Sequence, residues 1–103
     1  MAPKVLVSDK LSETAVQIFR DRGIDVDFDP SIGKDKNKLL SVIDQYDGLA
    51  IRSATKATEK IINAASNLKV IGRAGIGVDN IDRAAASKKG VIVMNTPFGN
   101  MIT

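Results

Sequence analysis

Short apolar runs alternate along this chain with longer stretches in which apolar residues recur every three or four positions. Lys4-Val5-Leu6-Val7-Ser8-Asp9 is an apolar run with a polar end, as expected of a buried parallel strand. Ser12 stands where an N-cap belongs and Glu13 follows in the first turn. Leu11, Ala15, Ile18 and Phe19 then share a helical face, up to a stop at Gly23. Ile24-Asp25-Val26-Asp27-Phe28 alternates strictly, the mark of a half-exposed edge strand, and Asp29-Pro30-Ser31 turns the chain. Residues 35–46 carry Leu39, Leu40, Val42, Ile43 and Tyr46, the pattern of a second amphipathic helix. Leu49-Ala50-Ile51 predicts a third strand running into Arg52-Ser53. Thr58 and Glu59 open a third helix bearing Ile61, Ile62 and Ala65. Lys69-Val70-Ile71 predicts a fourth strand, followed by a loop from Gly72 to Val78. Asp79 or Asn80 is the expected cap of a fourth helix over residues 80–89, ended by Gly90. Val91-Ile92-Val93-Met94 predicts a fifth strand and Asn95 to Asn100 a turn.

Strands and helices therefore alternate five strands deep. Short apolar strands joined by helices imply right-handed crossovers. The expected fold class is α/β: a flavodoxin-like, five-stranded parallel sheet with helices on both faces, in one domain over residues 1–103. The chain closes on Met101-Ile102-Thr103 without the helix that usually follows such a strand, which suggests part of a longer protein.

Composition narrows the chemistry. Hydrophobic residues are 44% of the 103 and aromatics only 4%, so the core must be aliphatic. The net charge of +3 is mild and the basic residues are scattered, unlike the basic stripe of a nucleic-acid surface. No apolar run approaches a membrane span or a signal-peptide core, so the expected location is cytoplasmic. Cysteine and histidine are both absent. That removes disulfides, thiolate metal sites, the commonest metal ligand and the usual general base. No metal site and no catalytic residue is expected.

In an open parallel sheet, ligands bind beyond the carboxyl ends of the strands. Of the five strand ends, the segment from Gly72 to Asn80 offers three glycines between a strand and a helix, a setting for anion binding by backbone N–H groups. A dinucleotide fingerprint fits its first half, Gly75-x-Gly77, and then fails. Asn80 replaces the last glycine, and Asn95 stands where the ribose-binding acid belongs. Arg52, at the end of the third strand, places a forked cation at the same edge. Arg73 and Asn100 are further candidates. A phosphoacceptor receiver domain shares this architecture, but it needs an acidic cluster after strand one and an Asp after strand three. The chain has Asp9 alone and Arg52 there. A stand-alone small-anion-binding or assembly module is the remaining alternative.

Ile51-Arg52-Ser53-Ala54-Thr55-Lys56, the run from Leu68 to Asp82 (LKVIGRAGIGVDNID) and Asn95-Thr96-Pro97-Phe98-Gly99-Asn100 together resemble the D-isomer-specific 2-hydroxyacid dehydrogenases. The first and last of these motifs narrow the likeness to the branch that acts on 3-phospho-D-glycerate. The resemblance implies a substrate-binding domain facing a nucleotide-binding domain that holds NAD, the latter outside this chain. It implies oxidation to 3-phosphohydroxypyruvate at the entry to serine biosynthesis, and a 3-phosphoglycerate-type small anion as ligand. It assigns Arg52 and Ser53 to the substrate phosphate, and Gly75, Ile76, Gly77 and Val78 to its carboxylate. Ile76 also falls on the nicotinamide side, and Arg73 and Asn100 at pocket or hinge positions. Met101 departs from the small polar residue expected there.

Overall fold

The computed structural model describes residues 3–10, 13–52, 55–74 and 80–96. Five strands form one sheet: β1 (Lys4–Val7), β2 (Asp25–Phe28), β3 (Gly48–Ile51), β4 (Val70–Ala74) and β5 (Ile92–Thr96). Every pairing is parallel, in the order β2-β1-β3-β4-β5. This is the flavodoxin-like order, in which the chain winds one way from β1 to β2 and the other way from β3 onward. The alternating segment 25–28 is an edge strand, as its pattern predicts, and β5 forms the other edge.

Four helices connect the strands: α1 (Glu13–Asp21), α2 (Lys36–Val42), α3 (Glu59–Ala64) and α4 (Arg83–Lys89). Neighbouring residues in a strand point to opposite faces, and the two apolar clusters follow that rule. Val7, Ala50 and Val26 pack with Val16 and Phe19 of α1 on one face. Leu6, Leu49, Ile51 and Ile71 pack on the other with Leu39 of α2, Ile61 and Ile62 of α3, and Ala85 and Ala86 of α4. Ile92 and Met94 of β5 point to the α1 side and are exposed, whereas Val91 and Val93 of the same segment join the larger cluster.

Two of the predicted helix stops rest on backbone geometry that glycine alone adopts cheaply. Gly23 and Gly90 have φ of +80° and +75°. At each, the next residue bonds back to the last turn (Ile24 N–H to Phe19 O, Val91 N–H to Ala86 O), the pattern of a Schellman cap. Lys89 adds a tie between helices. Its ammonium donates to the carbonyls of Ile62, Asn63 and Ala65 at 3.0, 3.3 and 3.1 Å, closing the C-terminal end of α3.

Four expectations need correction. The second helix is not continuous over 35–46: α2 ends at Val42 and a turn of 3-10 helix spans Ile43–Gln45. β4 does not stop at Ile71, because Gly72 pairs with Ala50 and Met94, and Arg73 with Ile51 and Asn95. β5 likewise runs through Asn95 and Thr96, where the sequence pattern predicts a turn. The fourth helix is capped by Asp82, whose carboxylate accepts from Ala85 N–H at 3.0 Å, and begins at Arg83 instead of residue 80. The expected cap Ser12 lies outside the described residues.

Tyr46 closes the amino end of the sheet. Its hydroxyl donates to Asp27 at 2.6 Å, and the Lys4 ammonium lies 5.3 Å from its ring centre. Burial, then the hydrogen bond to Asp27, push the phenol well above its ordinary range. A raised value in the folded state means stability that is complete below the unfolded value and lost as pH rises through the folded one. Tyr46 is the sole tyrosine and tryptophan is absent. Near-ultraviolet absorbance should therefore show phenolate appearing only above the range of free tyrosine, together with loss of helical circular dichroism. Ionisation at the free-tyrosine value with the fold intact would contradict this.

Candidate functional site

The carboxyl ends of β1, β3 and β4 converge where the winding changes direction. Ser8 and Asp9 follow β1, Arg52 follows β3, and Arg73 lies in β4 opposite Ile51. Since adjacent strands lie about 5 Å apart, the backbones of Arg52 and Arg73 are near neighbours on one sheet edge. Both candidates singled out from the sequence are thus brought together. Ser53, Gly75, Ile76, Gly77, Val78 and Asn100 lie outside the described residues.

Arg52 is exposed, but its main chain is held firmly. Its N–H donates to Asp9 Oδ2 at 2.6 Å, and its guanidinium Nη1 donates to the carbonyl of Lys10 at 3.1 Å. Arg73 is half-buried, with Nε donating to Asn80 Oδ1 at 2.7 Å. The amide of Asn80 then reaches the other way, Nδ2 donating to the carbonyls of Arg52 and Thr55 at 2.5 and 2.7 Å. A guanidinium only donates and a carbonyl only accepts, so these partners fix which end of the amide is oxygen. The main chain of the same segment pairs with the residue after Lys56: Ala57 N–H donates to Asn80 O, and Asp82 N–H to Ala57 O. Asn80 therefore joins the main chain of Arg52 and Thr55 to the strand that bears Arg73.

The sequence shows Asn80 only as a possible helix cap or as the residue that spoils a dinucleotide fingerprint. Its role as a bridge depends on residues 25 to 28 positions away, which no local pattern reveals. The same geometry bears on the anion. The sequence places the N-terminus of the fourth helix toward the ligand, but α4 starts beyond Asn80 and its first turn is filled by the carboxylate of Asp82. Among the described residues, the cations placed at this edge are Arg52 and Arg73. The start of α4 does not suit a dinucleotide pyrophosphate, because Ile81 bridges to Ala57 and the helix begins only at Arg83, with its first turn taken by Asp82.

A shallow depression of about 370 Å³ lies on the outer side of Asn80, lined by Lys56, Ala57, Thr58, Glu59, Asn80, Ile81 and Asp82. Both neighbouring helix starts are filled by their own caps, Thr58 and Asp82. Among the described residues no group of three His, Cys, Asp or Glu side chains is placed to hold a metal ion, and no helix is long and apolar enough to cross a membrane.

Residues 5–103 match the family model for the D-isomer specific 2-hydroxyacid dehydrogenase, catalytic domain. The D-3-phosphoglycerate dehydrogenase of Synechocystis is 46% identical over 99 residues, which cover 96% of this chain and 17% of that protein. The Homo sapiens D-3-phosphoglycerate dehydrogenase is 46% identical over 100 residues, or 97% of this chain and 18% of that protein. The chain thus spans less than a fifth of the length of these curated relatives. Among solved structures, the cofactor(NAD+)-bound 3-phosphoglycerate dehydrogenase of Entamoeba histolytica aligns with a TM-score of 0.81 at 35% identity, over 94% of this chain and 33% of that one. A Pyrococcus horikoshii protein aligns at 0.85 and 32% identity, over 93% of this chain and 28% of that one.

The bridging role of Asn80 makes a specific demand on its amide nitrogen. Asn80→Asp keeps the acceptor for Arg73 but sets a carboxylate oxygen against two carbonyl oxygens. It should cost about 2–3 kcal/mol in urea unfolding at neutral pH, more than Asn80→Ala, which lets water serve those carbonyls. An Asn80→Asp variant as stable as the parent would refute the bridge.

Proposed function

This chain belongs to the D-isomer specific 2-hydroxyacid dehydrogenase family, and from that premise we propose that it is the N-terminal part of the substrate-binding domain of a D-3-phosphoglycerate dehydrogenase. The whole protein oxidises 3-phospho-D-glycerate to 3-phosphohydroxypyruvate with NAD, at the start of serine biosynthesis in the cytoplasm. The observation that carries the reading is the paired placement of Arg52 and Arg73 on the ligand edge of the sheet, with the Arg52 main chain pinned and its side chain outward.

In this reading Arg52 and Ser53 hold the substrate phosphate, where a planar guanidinium matches the phosphate oxygens. The backbone N–H groups of Gly75 to Val78 hold the carboxylate, and Arg73 and Asn100 border the pocket. The chain binds and orients; it does not transfer the hydride or the proton. With no histidine among its 103 residues it has no ordinary general base at neutral pH. NAD supplies the hydride acceptor and is held by a nucleotide-binding domain outside these residues, with Ile76 as the one position here on the nicotinamide side.

The test is a titration of the 103-residue chain with 3-phospho-D-glycerate, followed by amide NMR. Shifts are expected at Arg52, Ser53 and Gly75 to Val78, with no NADH formed when NAD is added. Arg52→Ala should remove the response to the phosphate. Shifts centred instead on Lys56 and Glu59, or NADH production by the chain alone, would overturn the proposal.

A further inference from the structure

A carboxylate that the proposed binding reaction does not touch lies buried directly beneath Arg52. Asp9 is 2% exposed, and Ser8 and Thr55 beside it are fully buried. Asp9 Oδ2 accepts from Arg52 N–H at 2.6 Å and from Thr55 N–H at 3.0 Å, and Oδ1 accepts from the Thr55 hydroxyl at 2.8 Å. The hydroxyls of Ser8 and Thr55 lie 2.7 Å apart. One carboxylate thus collects three donors from two residues, Arg52 and Thr55, 43 to 46 residues away in the chain.

The chain around this group leaves it little freedom to move. Asn80 holds the carbonyls of the same two residues, Arg52 and Thr55. From below, the segment after β2 brings Gly33 so close that a Cβ there would collide with Asp9 Oδ1, the Ser8 carbonyl and Thr55 Oγ1. Burying a carboxyl group is costly unless its acceptors are filled. A plain apolar residue would pack the same space without that cost, but it would leave the Arg52 and Thr55 N–H groups unpaired. The cluster is built to hold the main chain of Arg52 and Thr55.

We propose that Asp9 is a positioning residue of the anion pocket: its buried carboxylate fixes the main chain of Arg52 and of Thr55 so that the Arg52 guanidinium is presented to the substrate phosphate. This rests on the phosphate-binding reading of Arg52 given above. Thr55 completes the donor set around the carboxylate, its hydroxyl in turn hydrogen-bonded to Ser8, and Gly33 is required because no side chain fits over it. Asp9 itself needs no contact with the ligand.

The experiment measures 3-phospho-D-glycerate binding to the 103-residue chain and its variants by amide NMR, with inorganic phosphate as a second probe. Asp9→Ala should weaken phosphoglycerate binding by about tenfold. Asp9→Asn should bind nearly as the parent does, because its carbonyl oxygen can still take both backbone N–H groups while its amide faces a hydroxyl that can turn to accept. Should Asp9→Ala not fold, Thr55→Val carries the test: it keeps the backbone donors but empties Oδ1, and should weaken binding by a smaller factor. If Asp9 acts through Arg52, adding Asp9→Ala to Arg52→Ala should remove little more. A folded Asp9→Ala or Thr55→Val chain that binds like the parent, or full additivity with Arg52→Ala, would overturn the positioning role alone. A parent chain that ignores both probes, or an Arg52→Ala chain that binds normally, would sink the phosphate reading of Arg52, and the role of Asp9 with it.

Discussion

Buried polar groups must find partners inside the protein, and in this fold that requirement falls hardest at the carboxyl ends of β1 and β3. The strand order sends the chain in opposite directions on either side of this pair. The loops that leave them must diverge, exposing main-chain groups that no strand can serve. Asp9 serves them from one side and Asn80 from the other. Among the described residues no buried side-chain nitrogen or oxygen is left without a partner. At the point of divergence the main chain of Arg52 and Thr55 is thereby held by hydrogen bonds from two directions.

The consequence is a division of labour within single residues. Arg52 uses its main chain for structure and keeps its guanidinium at the surface. Asn80 ties the Arg52 main chain to Arg73, so the two arginines are parts of one hydrogen-bonded frame. Pocket groups set in a frame need less ordering when a ligand arrives, which lowers the entropic cost of binding. In the proposed function this matters because a substrate must be held in one orientation toward the cofactor.

Much of this is legible in the sequence where the signal is local. The alternation in 24–28 marks an edge strand, and Gly23 and Gly90 mark helix ends that require left-handed backbone. Arg52 can be picked out because a strand end is readable and a cation there is unusual. The extents of β4 and β5 are not legible. Gly72, Arg73 and Asn95 are poor strand formers alone, and it is pairing with β3 and with each other that keeps them extended. Asp9 is visible only as too little acid for a phosphoacceptor site. Its real partners are donors on a distant turn, and such pairings leave no trace in local spacing. Asn80 is hidden for the same reason.

The central claim is that the main chain of Arg52 and Thr55 is a firmly held part of the fold although the Arg52 side chain is exposed. Native-state hydrogen exchange of the Arg52 and Thr55 amides tests it most directly. The account predicts that both amides exchange only through global unfolding, with protection equal to that of the core strands β1 and β3. Exchange at the rate of an exposed loop, while those strands remain protected, would contradict it.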